Sequence, residues 1–150
     1  MYQKVLVPLD GSELAECALS HVIQLVKDGA AQDVIILNVI VVHIPGRGDY
    51  SGLTEINTVR ENLFAESGKY LADVESRFAS EGIKVTKVSL EANLPADAIS
   101  DYAQENGVEL IVIATHGYTG MKKLMFGSVA LRVLHDTHVP VLLIRPESCR

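Results

Sequence analysis

The residues whose types and spacing best suit chemistry lie between Ala114 and Ala130, in the order Ala-Thr-His-Gly-Tyr-Thr-Gly-Met-Lys-Lys-Leu-Met-Phe-Gly-Ser-Val-Ala. Gly117 closely follows an apolar run, and a residue without Cβ lets a ligand approach the backbone. Gly127 and Ser128 open a helical pattern, where free amides and the helix macrodipole favour an anion. Ser128 adds a hydroxyl that can donate to a ligand or cap the helix. Taken singly, Gly117 and Gly120 are more often turn residues than ligand contacts. Taken together at the end of an interior strand, these residues form the pattern of a phosphate cradle.

Other chemical patterns are weaker. No Gly-x-x-x-x-Gly-Lys-Ser/Thr segment occurs, and Gly46-Arg47-Gly48-Asp49-Tyr50-Ser51 lacks both a third glycine and a helix directly behind it, so it reads as a loop. Its Arg47-Gly48-Asp49 tripeptide reads as chance. Asp10, His116 and Ser128 have the residue types of a hydrolase trio, but the Gly-x-Ser-x-Gly turn is missing and His116 reads as a binding-loop histidine. His135 and His138 have no third ligand in sequence and read as a surface pair. Asp10 would reach Mg²⁺ only through a nucleotide, because Mg²⁺ sites rest largely on phosphates and water. No catalytic residue and no metal ligand is assigned.

The elements that must position these residues alternate. Val5 to Leu9 reads as a first strand with Pro8 near its end, followed by an Asp10-Gly11-Ser12 turn and cap. A helix with Leu14, Ala18, Val22 and Val26 on one face stops near Asp28-Gly29. Val34 to Val42 is the second strand. Residues 43–56, with four Gly or Pro positions, read as a long loop. A helix from about Thr58 to Ser80 buries Phe64, Leu71, Val74 and Phe78, and Gly82 stops it. Ile83 to Leu90 is a third strand whose Lys84 and Lys87 suggest a sheet edge. Pro95 starts a third helix with Ala98, Ile99, Tyr102 and Ala103 facing in, and Gly107 ends it. Leu110 to Ala114 is a buried strand, a last helix starts at Gly127-Ser128, and Val139 to Ile144 is a fifth strand.

This β-α-β-α-β-α-β-α-β order calls for a doubly wound, five-stranded parallel sheet with helices on both faces, in one domain spanning 1–150. Ligands of such sheets sit beyond the carboxyl ends of the strands, where the strand order reverses. The order 2-1-3-4-5 is one option. Composition agrees with this class: 48% hydrophobic with 5% aromatic residues and no Trp suits aliphatic strands covered on both faces.

Charge and composition also exclude partners. A formal net charge of −6, with no large Lys/Arg cluster, disfavours nucleic acid. Any phosphate must therefore be held by local amides rather than by the field of the whole chain. No apolar run approaches the ~20 residues of a membrane helix. No basic-then-apolar signal opens the sequence, so the cytoplasm is the default compartment. Cys17 and Cys149 lie at opposite ends of the chain, and a disulfide scaffold is not expected.

Three segments carry a resemblance to the universal stress protein family, and it runs nearly end to end. They are Val-Pro-Leu-Asp10-Gly-Ser12, then Ile-Ile-Leu-Asn38-Val39-Ile, then Ala114-Thr-His-Gly117 followed after nine residues by Gly127-Ser128-Val129-Ala130 and by Val-Pro-Val-Leu-Leu-Ile. The ATP-binding branch of that family uses Gly-x-x-Gly, nine residues, then Gly-Ser/Thr, and this chain departs from it at Ala114. The resemblance implies a Rossmann-like nucleotide-binding fold with ATP as ligand and Mg²⁺ as its optional companion. It implies that Pro8, Leu9 and Asp10 line the nucleoside, with Asp10 toward the ribose hydroxyls, and that Val39 contacts adenine. Ala114, Thr115, His116, Gly117, Tyr118, Thr119 and Gly120 would wrap ribose and phosphates, and Gly127, Ser128, Val129 and Ala130 would present a helix N-terminus to the phosphates. Ala114 adds one methyl at a close approach. Tyr118 stands where many relatives carry a basic residue, which Lys122 and Lys123 could replace.

The long, apolar and almost uncharged edge at 139–144 invites pairing with another chain, and the resemblance likewise implies a homodimer through it. Three functions follow: a nucleotide-dependent regulatory switch in the stress response, a slow ATPase or nucleotidyl transferase, or a dimeric scaffold that binds no nucleotide. An enzyme needs a charge-stabilising group at the phosphates, for which only Lys122 and Lys123 are at hand. The spacing of Gly117, Gly127 and Ser128 argues against the scaffold that binds no nucleotide, while Ala114 argues for it, and the switch is the leading reading.

Overall fold

The computed structural model describes residues 1–43, 52–115 and 126–145. The chain alternates as expected: β1 (Tyr2–Leu9), a 3-10 turn (Ala15–Cys17), α1 (Ala18–Lys27), β2 (Ala31–Ile40), α2 (Gly52–Ala79), β3 (Val85–Glu91), α3 (Pro95–Glu105), β4 (Leu110–Ala114), α4 (Phe126–Asp136) and β5 (Val141–Ile144). All five strands are parallel. Their order is β3-β2-β1-β4-β5. The option 2-1-3-4-5 is therefore corrected. Which neighbour a strand takes depends on the direction of each crossover, which local patterning does not encode.

That order positions the site. β1, β2 and β3 step one way across the sheet, and β4 and β5 lie on the other side of β1. Right-handed crossovers then put α1 and α2 on one face and α3 and α4 on the other. The switch point falls between β1 and β4, where Leu9 and Ala114 end their strands.

Burial follows the aliphatic runs. Val5 to Leu9 and Leu110 to Ala114 are buried throughout, as strands covered on both faces must be. α2 packs Leu71, Val74 and Phe78 inward, while Phe64 is only half-buried. α3 buries Ala96, Ile99 and Ala103, with Ala98 and Tyr102 half-buried. β3 lies at a sheet edge as Lys84 and Lys87 suggested, and Lys87 reaches Glu75 of α2 at 3.0 Å.

Four further expectations need adjusting. Residues 52–56 belong to α2 rather than to a loop over 43–56, and residues 44–51 lie outside the described residues. Gly52 and Thr54 read locally as loop formers, but helix propensity is a weak prior that context overrides. β2 begins at Ala31 and ends at Ile40, rather than running from Val34 to Val42, because its ladder with β1 starts at Tyr2↔Ala31 and its ladder with β3 ends at Ile40↔Glu91. α4 begins at Phe126, which puts Ser128 inside its first turn rather than at its cap. Cys17 is disulfide-bonded, against the expectation from its distance in sequence to Cys149, which lies outside the described residues.

Candidate nucleotide site at the carboxyl edge

β1 delivers Pro8 and Leu9 buried and Asp10 exposed, just past the strand's end. Asp10 Oδ1 accepts from the Ser12 amide at 2.9 Å and from the Ser12 hydroxyl, and Ser12 Oγ in turn accepts from the Ala15 amide at 3.1 Å. The chain turns between them at Gly11, whose φ of +87° disfavours a side chain even though a Cβ there would meet nothing within 4 Å. Gly11 is thus needed for the path of the backbone rather than for space. The turn holds a carboxylate at the mouth of the β1–β4 crevice.

The β1–β4 ladder pairs Val5 with Leu110 and Leu6 with Ile111. Past these pairs the two strands run on to Leu9 and Ala114 at the carboxyl edge. Ala114 is buried, and the Thr115 amide donates to the Ile144 carbonyl at 2.8 Å, so this edge of β4 is fixed from the β5 side. α4 follows β4 and so begins at the same carboxyl edge, with Gly127 and Ala130 buried, Val129 half-buried and Ser128 exposed. The first amides of a helix have no intrahelical acceptor and suit an anion. Of the expected site residues, Pro8, Leu9, Asp10, Ala114, Thr115 and Gly127 to Ala130 therefore share one edge of the sheet. His116, Gly117, Tyr118, Thr119 and Gly120 lie outside the described residues.

Val39 is half-buried near the end of β2 and lines an open cleft of about 400 Å³ together with Asp10, Gly11, Asn38, Leu63 and Tyr70. That volume falls within the ~300–1,000 Å³ of small-molecule sites. A larger cavity, about 530 Å³, lies toward the amino ends of β4 and β5. It carries Asp97, Asp101 and Asp136, with Arg132 3.5 Å from both Asp97 and Asp136. Its acidity and its distance from the switch point make it the poorer phosphate site despite its size. Asp136 is held below the usual carboxylate range, first by the His135 hydrogen bond. Among the described residues no group of three His, Cys, Asp or Glu is placed to hold a metal.

Sequence reasoning missed a polar network beneath this cleft. Ser67, buried on the inner stripe of α2, donates to Asn38 Oδ1 at 2.7 Å and shares a 2.6 Å hydrogen bond with Ser89 of β3. The signal was present: Ser67 sits four residues before Leu71 on an otherwise apolar stripe, and Asn38 interrupts an apolar strand. Tyr70, one position off that stripe, was also missed. Burial, with the charges of Glu16 and Asp10 adding to it, raises the Tyr70 phenol well above its ordinary pKa, so it stays protonated.

A five-stranded, doubly wound parallel sheet with its switch point between β1 and β4 is a Rossmann-like α/β fold. The family model of the Universal stress protein family matches residues 1–145, and the chain belongs to that family. Universal stress protein MJ0577 of Methanocaldococcus jannaschii is 31% identical, the alignment covering 99% of this chain and 98% of that protein. Its solved structure matches with a TM-score of 0.77 over 97% of this chain and 96% of that one. The same fold recurs in a universal stress protein from Archaeoglobus fulgidus solved in complex with dAMP (24% identity, TM-score 0.61, covering 95% and 98%). It recurs too in a universal stress protein solved with cAMP (21% identity, TM-score 0.64, covering 97% and 98%).

Proposed function

We propose that this chain binds an adenine nucleotide, ATP with Mg²⁺ carried on its phosphates, at the β1–β4 crevice, and serves as a nucleotide-dependent switch in the stress response. The observation that carries this reading is the switch point between β1 and β4, with Asp10 just past the end of β1, Ala114 ending β4 and the first turn of α4 at the same edge. Asp10 suits ribose hydroxyls, which donate to a carboxylate. The opening amides of α4, with Gly127 and Ser128, suit phosphates. Val39 offers an apolar contact to the base. The dAMP and cAMP complexes of two universal stress proteins support an adenine ligand for this fold. A second copy of the chain is the proposed protein partner, through the β5 edge.

The test is titration calorimetry of the purified protein with ATP and with GTP. ATP should bind and GTP should bind at least about tenfold more weakly, about 1.4 kcal/mol of discrimination. Equal affinities, or no heat with either at millimolar concentration, would overturn the reading.

A further inference from the structure

Cys17 ends the 3-10 turn that leads into α1, and it is disulfide-bonded. The sequence holds two cysteines, and the other is Cys149. The bond therefore joins Cys17 to Cys149 and closes a loop that takes in most of the chain. Folding does not require it. The buried aliphatic residues form one continuous core, and a chain of about 150 residues buries enough surface to stand without a covalent staple.

The topology shows what such a bond holds. β5 is a four-residue strand at the sheet edge, and its ladder is with β4 alone. Cys149 follows its last residue, Ile144, by five residues, a length of chain that reaches at most ~16–18 Å. The Ala15–Cys17 turn packs against both β1 and β4, so one strand spacing of ~4.8 Å separates β5 from a strand that this turn touches. The reach suffices. Cys17 is also open to attack: it is half-buried and lines an open depression of about 440 Å³ with Glu13, Glu16, Ser20 and Arg77. Accessible disulfides are the labile and regulatory ones, because a thiolate must reach a sulfur to break them.

We propose that Cys17 and Cys149 form a reversible thiol–disulfide site, a clasp that ties the end of β5 to the start of α1 when oxidised and releases it when reduced. Its reactant is a small dithiol. One thiolate of the dithiol attacks a sulfur of the bond, forms a mixed disulfide and expels the other cysteine as a thiolate, which takes a proton. The second thiol of the reductant then displaces the remaining cysteine and closes a cyclic disulfide. Two electrons and two protons pass to the protein, which gains two thiols. A disulfide oxidant reverses the step and leaves as two thiols. The clasp is independent of nucleotide binding.

The experiment uses the folded, full-length chain without denaturant. It is oxidised with glutathione disulfide, then reduced with millimolar dithiothreitol, and free thiols and the thermal midpoint are measured in each state. The oxidised chain should show no free thiol and the reduced chain two. The midpoint should fall by about 5–15 °C on reduction, and return when glutathione disulfide is restored. Cys149→Ser should melt with the reduced wild type, and dithiothreitol should leave its midpoint unchanged. Thiols released only after denaturation would make the bond a fixed cross-link and overturn the proposal. So would a midpoint indifferent to reduction, or an oxidised protein that runs at twice the chain mass without reductant in a denaturing gel, which would place the bond between copies.

Discussion

The side chain of Asn38 donates from Nδ2 to the carbonyl of Leu9 across 2.8 Å, so the end of β2 holds the last residue of β1 immediately before Asp10. The other side of the same amide accepts from Ser67, which ties the pair to α2. The strand end that carries the candidate ribose contact is therefore fixed by side chains as well as by the sheet ladder.

Ser67→Ala tests how much that anchoring contributes. It removes the donor to Asn38 Oδ1 and the partner of Ser89 in a buried setting, so stability should fall by about 1–3 kcal/mol. Ser89→Ala should cost less, because Ser67 keeps Asn38. The double variant should cost less than the two singles added, since the hydroxyls partner each other. Strict additivity in urea unfolding would mean that the 2.6 Å contact couples nothing.

The fold was legible where one local pattern admitted one structure. Leu110 to Ala114 is a continuous aliphatic run, and β4 occupies those five residues, buried throughout. Pro95 marks the first residue of α3, where a missing amide costs nothing. The paired lysines Lys84 and Lys87 identified an edge strand. Strand order was not legible, because it depends on which way each helix crosses the sheet. In the site, Asp10 and Ala114 could be found from the strand ends they follow. Tyr70 could not, because it lies on α2 and looks in sequence like an ordinary position of a long amphipathic helix, whereas Ser67 shows as a polar interruption of that helix's apolar stripe.

The ionisation of Tyr70 gives a pH signature. Its folded pKa is raised above the ordinary value of 10.0, chiefly by burial, so the folded state holds the proton more tightly than the unfolded one. The stability linked to that proton is fully present below about pH 10 and is lost as pH rises beyond it. Wild type and Tyr70→Phe should therefore differ by a constant amount below about pH 9. Above about pH 10 wild type should weaken more steeply. Parallel stability curves up to pH 12 would show that the hydroxyl is solvated in the folded protein.

β5 forms one edge of the sheet, pairing with β4 on its inner side, and Leu142 is 38% exposed on it. Leu131 and Leu134 of α4 are also exposed, at 62% and 45%. An edge with so little charge beside an apolar helix face suits a second copy of the chain. Light scattering should give twice the 16.3 kDa chain mass at micromolar concentration. Leu142→Asp should shift the protein toward the monomer mass. A wild-type monomer, or a dimer indifferent to Leu142→Asp and Leu131→Asp alike, would remove β5 as the interface.

The first turn of α4 separates binding from folding most sharply. Ser128 is the third residue of the helix and is exposed, so its replacement by Ala removes a hydroxyl without opening a cavity. Ala is also the better helix former, which limits any loss of stability to less than about 1 kcal/mol. If the hydroxyl donates to a phosphate, its loss should lower ATP affinity by roughly ten- to a hundredfold, the value of a hydrogen bond to a charged group. Adenosine affinity should stay as it is, because no phosphate is present to be held. Gly127→Ala should act in the same direction if the backbone there meets the phosphate as proposed, and because Gly127 is buried its stability must be measured alongside. ATP affinity unchanged in Ser128→Ala would confine Ser128 to a role within the helix. An equal loss for ATP and adenosine would instead mean that this turn meets the nucleoside, and that the ligand lies the other way round in the crevice.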